Sequence, residues 1–398
     1  MPVWLRVLNS FPGVVVAWFL MGCERTDFRD SRDFGPGGKS VFPGDDWQSV
    51  TPRDAGMSSR RLKKAVAWFE ERTAEGNGVE ELLILRGGRI VWAGDGIDRV
   101  HGVWSMTKTF TSSLMGTLVD EGLCDLDDPV CEVIPELTET YPGVTYRHLL
   151  TMTSGYEAEG DWPPENPNYV NGGSRTPFVP SDEAQFVPGE KFSYWDSAYN
   201  LTALAMVRLT GKPLDVLFSE RIAEPIGMDP DAWSWAPLLV DKGIAVHAGS
   251  GNKGKHIEIS AREAARFGLL ILHRGRWKDA RILSDRWVDL ATSPQVSADT
   301  PLGGPIVYRY GKKFPFDGRG CYGLAWWTNG AIPGGEFLWP DLPRGTAMAW
   351  GYHNNFIFVV PEWDLVVVRF GQDARTSGRL RHPAFNEFLK KIGESIRS

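Results

Sequence analysis

The chain has 398 residues, 42% hydrophobic and 12% aromatic, enough to bury one large core or two lobes around a cleft, which excludes a mainly disordered polypeptide. Its formal net charge is -7 and no long basic run occurs, so no nucleic-acid partner is expected and a small molecule is the partner the composition favours. Cysteines 23, 124, 131 and 321 show no Cys-x-x-Cys spacing and the seven histidines no His-Glu-x-x-His pattern, so neither a metal nor another cofactor is expected.

At the N-terminus, Arg6 and the free amine give a weakly positive start, Val14 to Met21 is apolar, and Leu20-Met21-Gly22-Cys23 follows. The apolar run is far shorter than the ~20 residues a membrane helix needs, so residues 1–23 read as a secretion signal. Leu-x-Gly-Cys resembles the lipobox of bacterial lipoproteins, which implies lipid attachment at Cys23 and an exported, periplasmic protein that meets the membrane only through that anchor. An ordinary secretory peptide with Cys23 incidental is the competing reading. Outside the cytoplasm Cys124 and Cys131 are free to pair, although closeness in sequence does not establish disulfide geometry.

Residues 24–50 are polar and carry Gly35-Pro36-Gly37-Gly38, which reads as a tether, so one folded domain is expected over 51–398. Ser58 or Ser59 caps a helix with Leu62, Ala65, Val66 and Phe69 at helical spacing. Leu82 to Leu85 and Ile90 to Trp92 read as strands joined at Gly87-Gly88. The stretch from about 103 to 235 is helix-dominated and interrupted by Trp162 to Pro180, whose length and polarity suit a cleft-edge loop. Ser260 to His273 reads as a helix with Ser260 and Glu263 in capping-box positions. Phe356 to Val360 and Leu365 to Phe370 read as paired strands, and Ala384 to Ile396 as a closing helix. This order predicts an α/β fold in which both ends of the chain build one antiparallel sheet flanked by helices, while the middle forms a second, helix-rich lobe.

Ser-x-x-Lys occurs twice, as Ser105-Met-Thr-Lys108 and Ser250-Gly-Asn-Lys253. Phe110, Leu114, Leu118 and Val119 continue the first as a helix, which places Lys108 on the face of Ser105, with free N–H groups and a positive dipole end beside the hydroxyl. The second lies in a glycine-rich stretch and reads as a decoy. A serine hydroxyl needs a base to become nucleophilic, and with no Gly-x-Ser-x-Gly elbow present, Lys108 is the nearest one. The bland alternative is an N-cap serine beside a solvated lysine.

Val103-Trp-Ser-Met-Thr-Lys-Thr-Phe, Asp120-Glu-Gly-Leu-Cys-Asp-Leu-Asp-Asp-Pro-Val and His148-Leu-Leu-Thr-Met-Thr-Ser-Gly155 together resemble class C β-lactamases and related penicillin-binding-type serine hydrolases, from roughly Thr51 to Phe370. The resemblance implies a β-lactamase-like fold and an acyl-enzyme formed on Ser105. The family's Tyr-x-Asn element is matched by Phe192-Ser-Tyr194-Trp-Asp196-Ser-Ala-Tyr199, which assigns Tyr194 as the proton-transfer partner. Tyr169-Val-Asn171 and Tyr352-His-Asn354 match the string but lack its flanks. Asp196 stands where the family has a neutral asparagine; a carboxylate near Lys108 raises that lysine's pKa, weakens it as a base, and shifts the proton work toward Tyr194. A surface or helix-capping carboxylate is the competing reading of Asp196.

The family's Lys-Thr-Gly strand is absent, and Trp350-Gly-Tyr-His-Asn-Asn355 takes its place, resembling the version in 6-aminohexanoate-dimer-hydrolase-like relatives. That resemblance implies close substrate approach at Gly351 and an oxyanion contact from the N–H of Tyr352 or His353, while loss of the lysine disfavours a penicillin carboxylate. Trp104, Trp195, Trp327 and Trp350 fall beside these segments, either lining an apolar acyl pocket or filling the core. The combined expectation is a serine hydrolase for an ester or short amide. A β-lactamase or D-peptidase stands behind it, and a non-catalytic binder of cell-wall fragments is the alternative from another class.

Overall fold

The computed structural model describes residues 41–155, 184–251, 255–303, 308–309, 312–313, 317–372 and 382–397. Along the chain the elements used below are α1 (Ser59–Thr73), β1 (Glu81–Arg86), β2 (Arg89–Ala93), β3 (His101–Gly102), α2 (Thr107–Asp120), α3 (Asp196–Thr210), β4 (Trp233–Trp235), β5 (Ile257–Ile259), α4 (Ala261–Leu272), β6 (Trp327–Thr328), β7 (Ala347–Gly351), β8 (Asn355–Val360), β9 (Leu365–Phe370) and α5 (His382–Gly393). Residues 1–23 with Cys23, read as a secretion signal, residues 24–40 of the stretch read as a tether, residues 162–180, read as a cleft-edge loop, Tyr169-Val-Asn171 and Lys253 lie outside the described residues.

The main sheet has six antiparallel strands in the order β6-β7-β8-β9-β1-β2, so strands from both ends of the chain share one sheet, with β1 paired to β9 from Glu81↔Phe370 to Arg86↔Leu365. Every residue of β8 and β9 is buried, which explains why both strands, apart from Asn355 and Arg369, are apolar without alternation. Neighbouring strand residues point to opposite faces. Phe356 and Phe358 meet Phe385 of α5, and Phe356 also meets Phe69 of α1, whereas Ile357 faces α4. There a Cβ on Gly268 would lie 2.7 Å from Val366 Cγ1 and 3.0 Å from Ile357 Cγ2, so a glycine is what lets α4 sit this close to the sheet. The helical middle joins this core through a three-stranded sheet in the order β3-β5-β4.

Ser58 caps α1 by accepting from Arg61 N–H, and Leu62, Ala65, Val66 and Phe69 are its buried face, as their spacing requires. Gly87 and Gly88 both have positive φ, 59° and 70°, the conformation of a two-residue hairpin turn. Within the stretch read as a tether, Val41 N–H donates to Gly87 O, Val50 N–H to Ile90 O and Ile90 N–H to Gln48 O, and Trp47 is buried, so residues 41–50 pack against the hairpin and belong with the folded chain. A Cβ on Gly88 would lie 1.8 Å from Val41 O, so this N-terminal segment crosses directly over the hairpin. The Ser260 cap on α4 forms, but Glu263 turns away from the capping box to accept from Asp229 N–H and pair with Arg266. Cys124 and Cys131 are free thiols; Cys131 Sγ faces Pro142 O, and burial, helped by Asp128 and Asp125, pushes the Cys124 thiol up to about 12.

Candidate active site

Ser105 lies in a 3-10 turn, Trp104–Met106, immediately before α2, and Trp104 is held at φ 51°, a left-handed conformation uncommon for a non-glycine residue. Two glycines clamp this turn. A Cβ on Gly351 at the end of β7 would lie 2.0 Å from Val103 O and 3.3 Å from Met106 N; one on Gly251 would lie 2.3 Å from Trp104 O and 3.3 Å from Ser105 N. Thr107 adds a third hold, its hydroxyl accepting from Ile257 N–H of β5. The nucleophile's backbone is thus fixed from three separate elements.

Lys108, in the first turn of α2, is 1% exposed. Its Nζ donates to Asp196 Oδ1 at 2.5 Å and to Ser250 O at 3.0 Å, and the Tyr194 phenol lies beside the same ammonium, where it adds to the interactions that favour the charged lysine. Its Nζ stands 4.9 Å from the centre of the Tyr194 ring. Burial disfavours the ammonium, but the charges of Asp196 and Tyr194 and their hydrogen bonds outweigh it, and the lysine's proton affinity is raised. Asp196 thus pairs with Lys108 and is only 18% exposed, at the first position of α3 after Trp195.

Tyr194 is nearly fully buried beside the first residue of α3 and hydrogen-bonds both Ser105 and Lys108. Burial pushes its pKa up and Asp196 adds to the push, while Lys108 and the Ser105 hydroxyl pull the other way; the net direction is upward. Ser105, Lys108, Tyr194 and Asp196, brought from a turn, a helix and a helix start up to 91 positions apart in sequence, form one hydrogen-bonded group.

Gly351, Tyr352 and His353 border the same turn from the sheet side. Tyr352–Asn354 form a 3-10 turn in which His353 and Asn354 have φ 65° and 60°. Asn355 Nδ2 donates to Tyr352 O at 2.6 Å, and the fully buried Arg369 donates to His353 O and Asn354 O as well as to Gly76 O and Gly78 O. Neither Arg369 nor Asn355 was singled out in the sequence, because an arginine inside an apolar strand carries no motif. The Trp104 ring stands 5.4 Å from Tyr352 and 5.7 Å from His353, half-buried next to Ser105. Trp195, Trp327 and Trp350 are buried core side chains, Trp327 stacking on Tyr194 and Trp195 on Phe186. Ser250 also belongs to the site, through its carbonyl and not as a nucleophile. Among the described residues no cluster of histidine, cysteine or carboxylate side chains suited to a metal occurs.

The β-lactamase family model matches residues 70–386. The chain is 25% identical over 340 residues to 6-aminohexanoate-dimer hydrolase of Paenarthrobacter ureafaciens, covering 80% of this chain and 79% of that protein. It is 27% identical over 182 residues to a β-lactamase of Escherichia coli, covering 45% of this chain and 46% of the other. Among solved structures, a penicillin-binding protein homologue from Caulobacter crescentus superposes with a TM-score of 0.58 at 16% identity, over 85% of this chain and 99% of that one. EstCE1, a hydrolase with promiscuous acyltransferase activity, does so with 0.56 at 19% identity, over 83% and 99%. With the fold matched over most of its length and the family model spanning well over half of it, the chain belongs to the β-lactamase family of serine hydrolases.

Proposed function

We propose that the chain hydrolyses an ester or a short-chain amide through an acyl-enzyme on Ser105. The observation that carries this reading is the connected set of Ser105, Tyr194, Lys108 and Asp196, with the Lys108 ammonium donating to Asp196 at 2.5 Å. Ser105 Oγ attacks the carbonyl carbon and loses its proton to Tyr194 in its phenolate form, a minor form that the Lys108 ammonium stabilises against burial. Tyr194 returns that proton to the leaving group, and water then repeats the sequence on the acyl-enzyme. The negative oxygen formed in each half is met by N–H groups of the Ser105 turn and of Tyr352 or His353.

The ester or amide preference follows from Gly351-Tyr352-His353 standing where a Lys-Thr-Gly strand would supply a cation for a penicillin carboxylate. It is supported by the extent of the similarity to 6-aminohexanoate-dimer hydrolase. Export and lipid attachment at Cys23 are part of the same proposal and rest on the positive start at Arg6, the short apolar run Val14 to Met21 and the Leu20-Met21-Gly22-Cys23 that follows.

A fluorophosphonate probe followed by mass spectrometry tests the chemistry: the label is expected on Ser105, and folded protein that takes no label there favours a non-catalytic binder. Turnover of a short p-nitrophenyl ester exceeding that of a chromogenic cephalosporin supports the esterase reading; the reverse order supports a β-lactamase.

A further inference from the structure

The second Ser-x-x-Lys string is not used as a nucleophile, yet its first two residues are built into the site. Ser250 is 1% exposed, and four contacts converge on Gly249-Ser250-Gly251. Thr111 of α2 donates its hydroxyl to Gly249 O at 2.8 Å, and Lys108 Nζ donates to Ser250 O at 3.0 Å. Ser250 N–H and Oγ both donate to Asn200 Oδ1, at 3.2 and 3.0 Å. Gly251, with φ 88°, lies against Trp104 O and Ser105 N. Asn200 is fully buried and lies four residues after Asp196 on α3, on the same face of that helix. One helix therefore holds the Lys108 ammonium twice, directly through Asp196 and indirectly through Asn200 and the Ser250 carbonyl.

We propose that Asn200 and Ser250 are positioning residues for the hydrolase reaction, acting as a clasp that fixes the carbonyl which aims Lys108 at Tyr194. The proposal rests on the serine-hydrolase reading above. An ammonium with two acceptors at fixed places has its third N–H fixed as well, and here that N–H meets the phenol. Without a fixed Ser250 carbonyl, the shorter and charge-assisted bond to Asp196 takes over and Lys108 is drawn away from the phenol oxygen it must stabilise. Removing the Asn200 oxygen also strands a buried N–H and a buried hydroxyl on Ser250, which forces the 249–251 segment to move. That movement reaches the nucleophile, because Gly251 abuts Ser105 N.

The test uses the full chain with Asn200→Ala and Ser250→Ala, read by p-nitrophenyl ester kinetics across pH and by the rate of fluorophosphonate labelling at Ser105. Asn200→Ala is expected to lower kcat about tenfold or more at a KM changed by less than about twofold, and to shift the basic limb of the pH-rate profile. Ser250→Ala, which keeps the backbone bond to Asn200, is expected to fall between Asn200→Ala and the parent. Parent-like kcat and pH profile in Asn200→Ala overturns the clasp in favour of simple packing. If Asn200→Ala does not fold, Ser250→Ala decides: lowered kcat at unchanged KM supports the clasp, and parent-like kinetics overturns it. A parent chain that takes no label at Ser105 removes the hydrolase reading and the clasp with it, whereas a labelled parent with indifferent variants removes the clasp alone.

Discussion

Lys108 Nζ and Asp196 Oδ1 lie 2.5 Å apart, with the lysine buried and the carboxylate only partly so. An ion pair here does more than hold two elements together, because both neighbouring titrations feel the Asp196 charge. It raises the proton affinity of Lys108 and that of Tyr194.

Asp196→Asn is therefore expected to move both limbs of the pH-rate profile toward acid. Losing the carboxylate removes an influence that raises the phenol and one that raises the lysine, so each group gives up its proton at lower pH. A displacement of about one pH unit or more is the scale expected for a charge at this distance. Steady-state kinetics from acid to alkaline pH measure it, and an unmoved profile takes Asp196 out of the mechanism.

Tyr194→Phe removes the proton carrier but keeps the ring against Trp327 and Tyr322. The expected loss in kcat/KM is about 10²–10⁴-fold, with a thermal midpoint close to that of the parent. A loss of activity matched by a loss of fold, seen by circular dichroism, would point to packing instead.

Gly351→Ala tests the approach of β7 to the nucleophile turn. The added Cβ meets Val103 O at 2.0 Å, and that backbone cannot retreat without carrying Ser105 along. We expect destabilisation of about 1–3 kcal/mol in denaturant unfolding, together with a fall of about tenfold or more in acylation rate from misplacing Ser105. An active, fully stable variant would show that the turn accommodates the methyl group.

Stability should also depend on pH through buried histidines. Burial lowers His256, with His101 adding to the effect, and lowers His273, each from 6.5 to about 4. Between those values the unfolded chain holds protons that the folded chain does not. Stability is fully present above the ordinary histidine pKa and declines as pH falls toward 4, by up to ~1.4 kcal/mol per pH unit per histidine. Denaturant midpoints from pH 7 to 4 measure the slope, and His273→Gln is expected to flatten it; an equal slope in that variant removes His273 as a contributor.

Much of this architecture was legible in residue order because its signals are local. The Ser58 and Ser260 caps, the Gly87-Gly88 turn and the apolar runs of β8 and β9 each follow from a few neighbouring residues and the backbone's need for partners. Ser105, Lys108 and Tyr194 were legible as motifs, and the oddity of a carboxylate at 196 was visible beside them. The packing of residues 41–50 was not legible because the contacts of that segment are with a hairpin about 46 residues later, and glycine and proline content reads as linker whatever lies above it.

The sequence by itself determined which residue types were present for the chemistry and which periodicities could form helices and strands, since both depend on near neighbours along the chain. Only the tertiary structure decided that Asp196 reaches Lys108, that Ser250 serves through its carbonyl, that Asn200 and Arg369 anchor the surrounding loops, and that three of the four tryptophans beside the motifs fill the core. Those outcomes depend on angles and distances between segments as much as 293 residues apart, set by how α2, α3 and the sheet pack, and no short stretch of sequence carries that information.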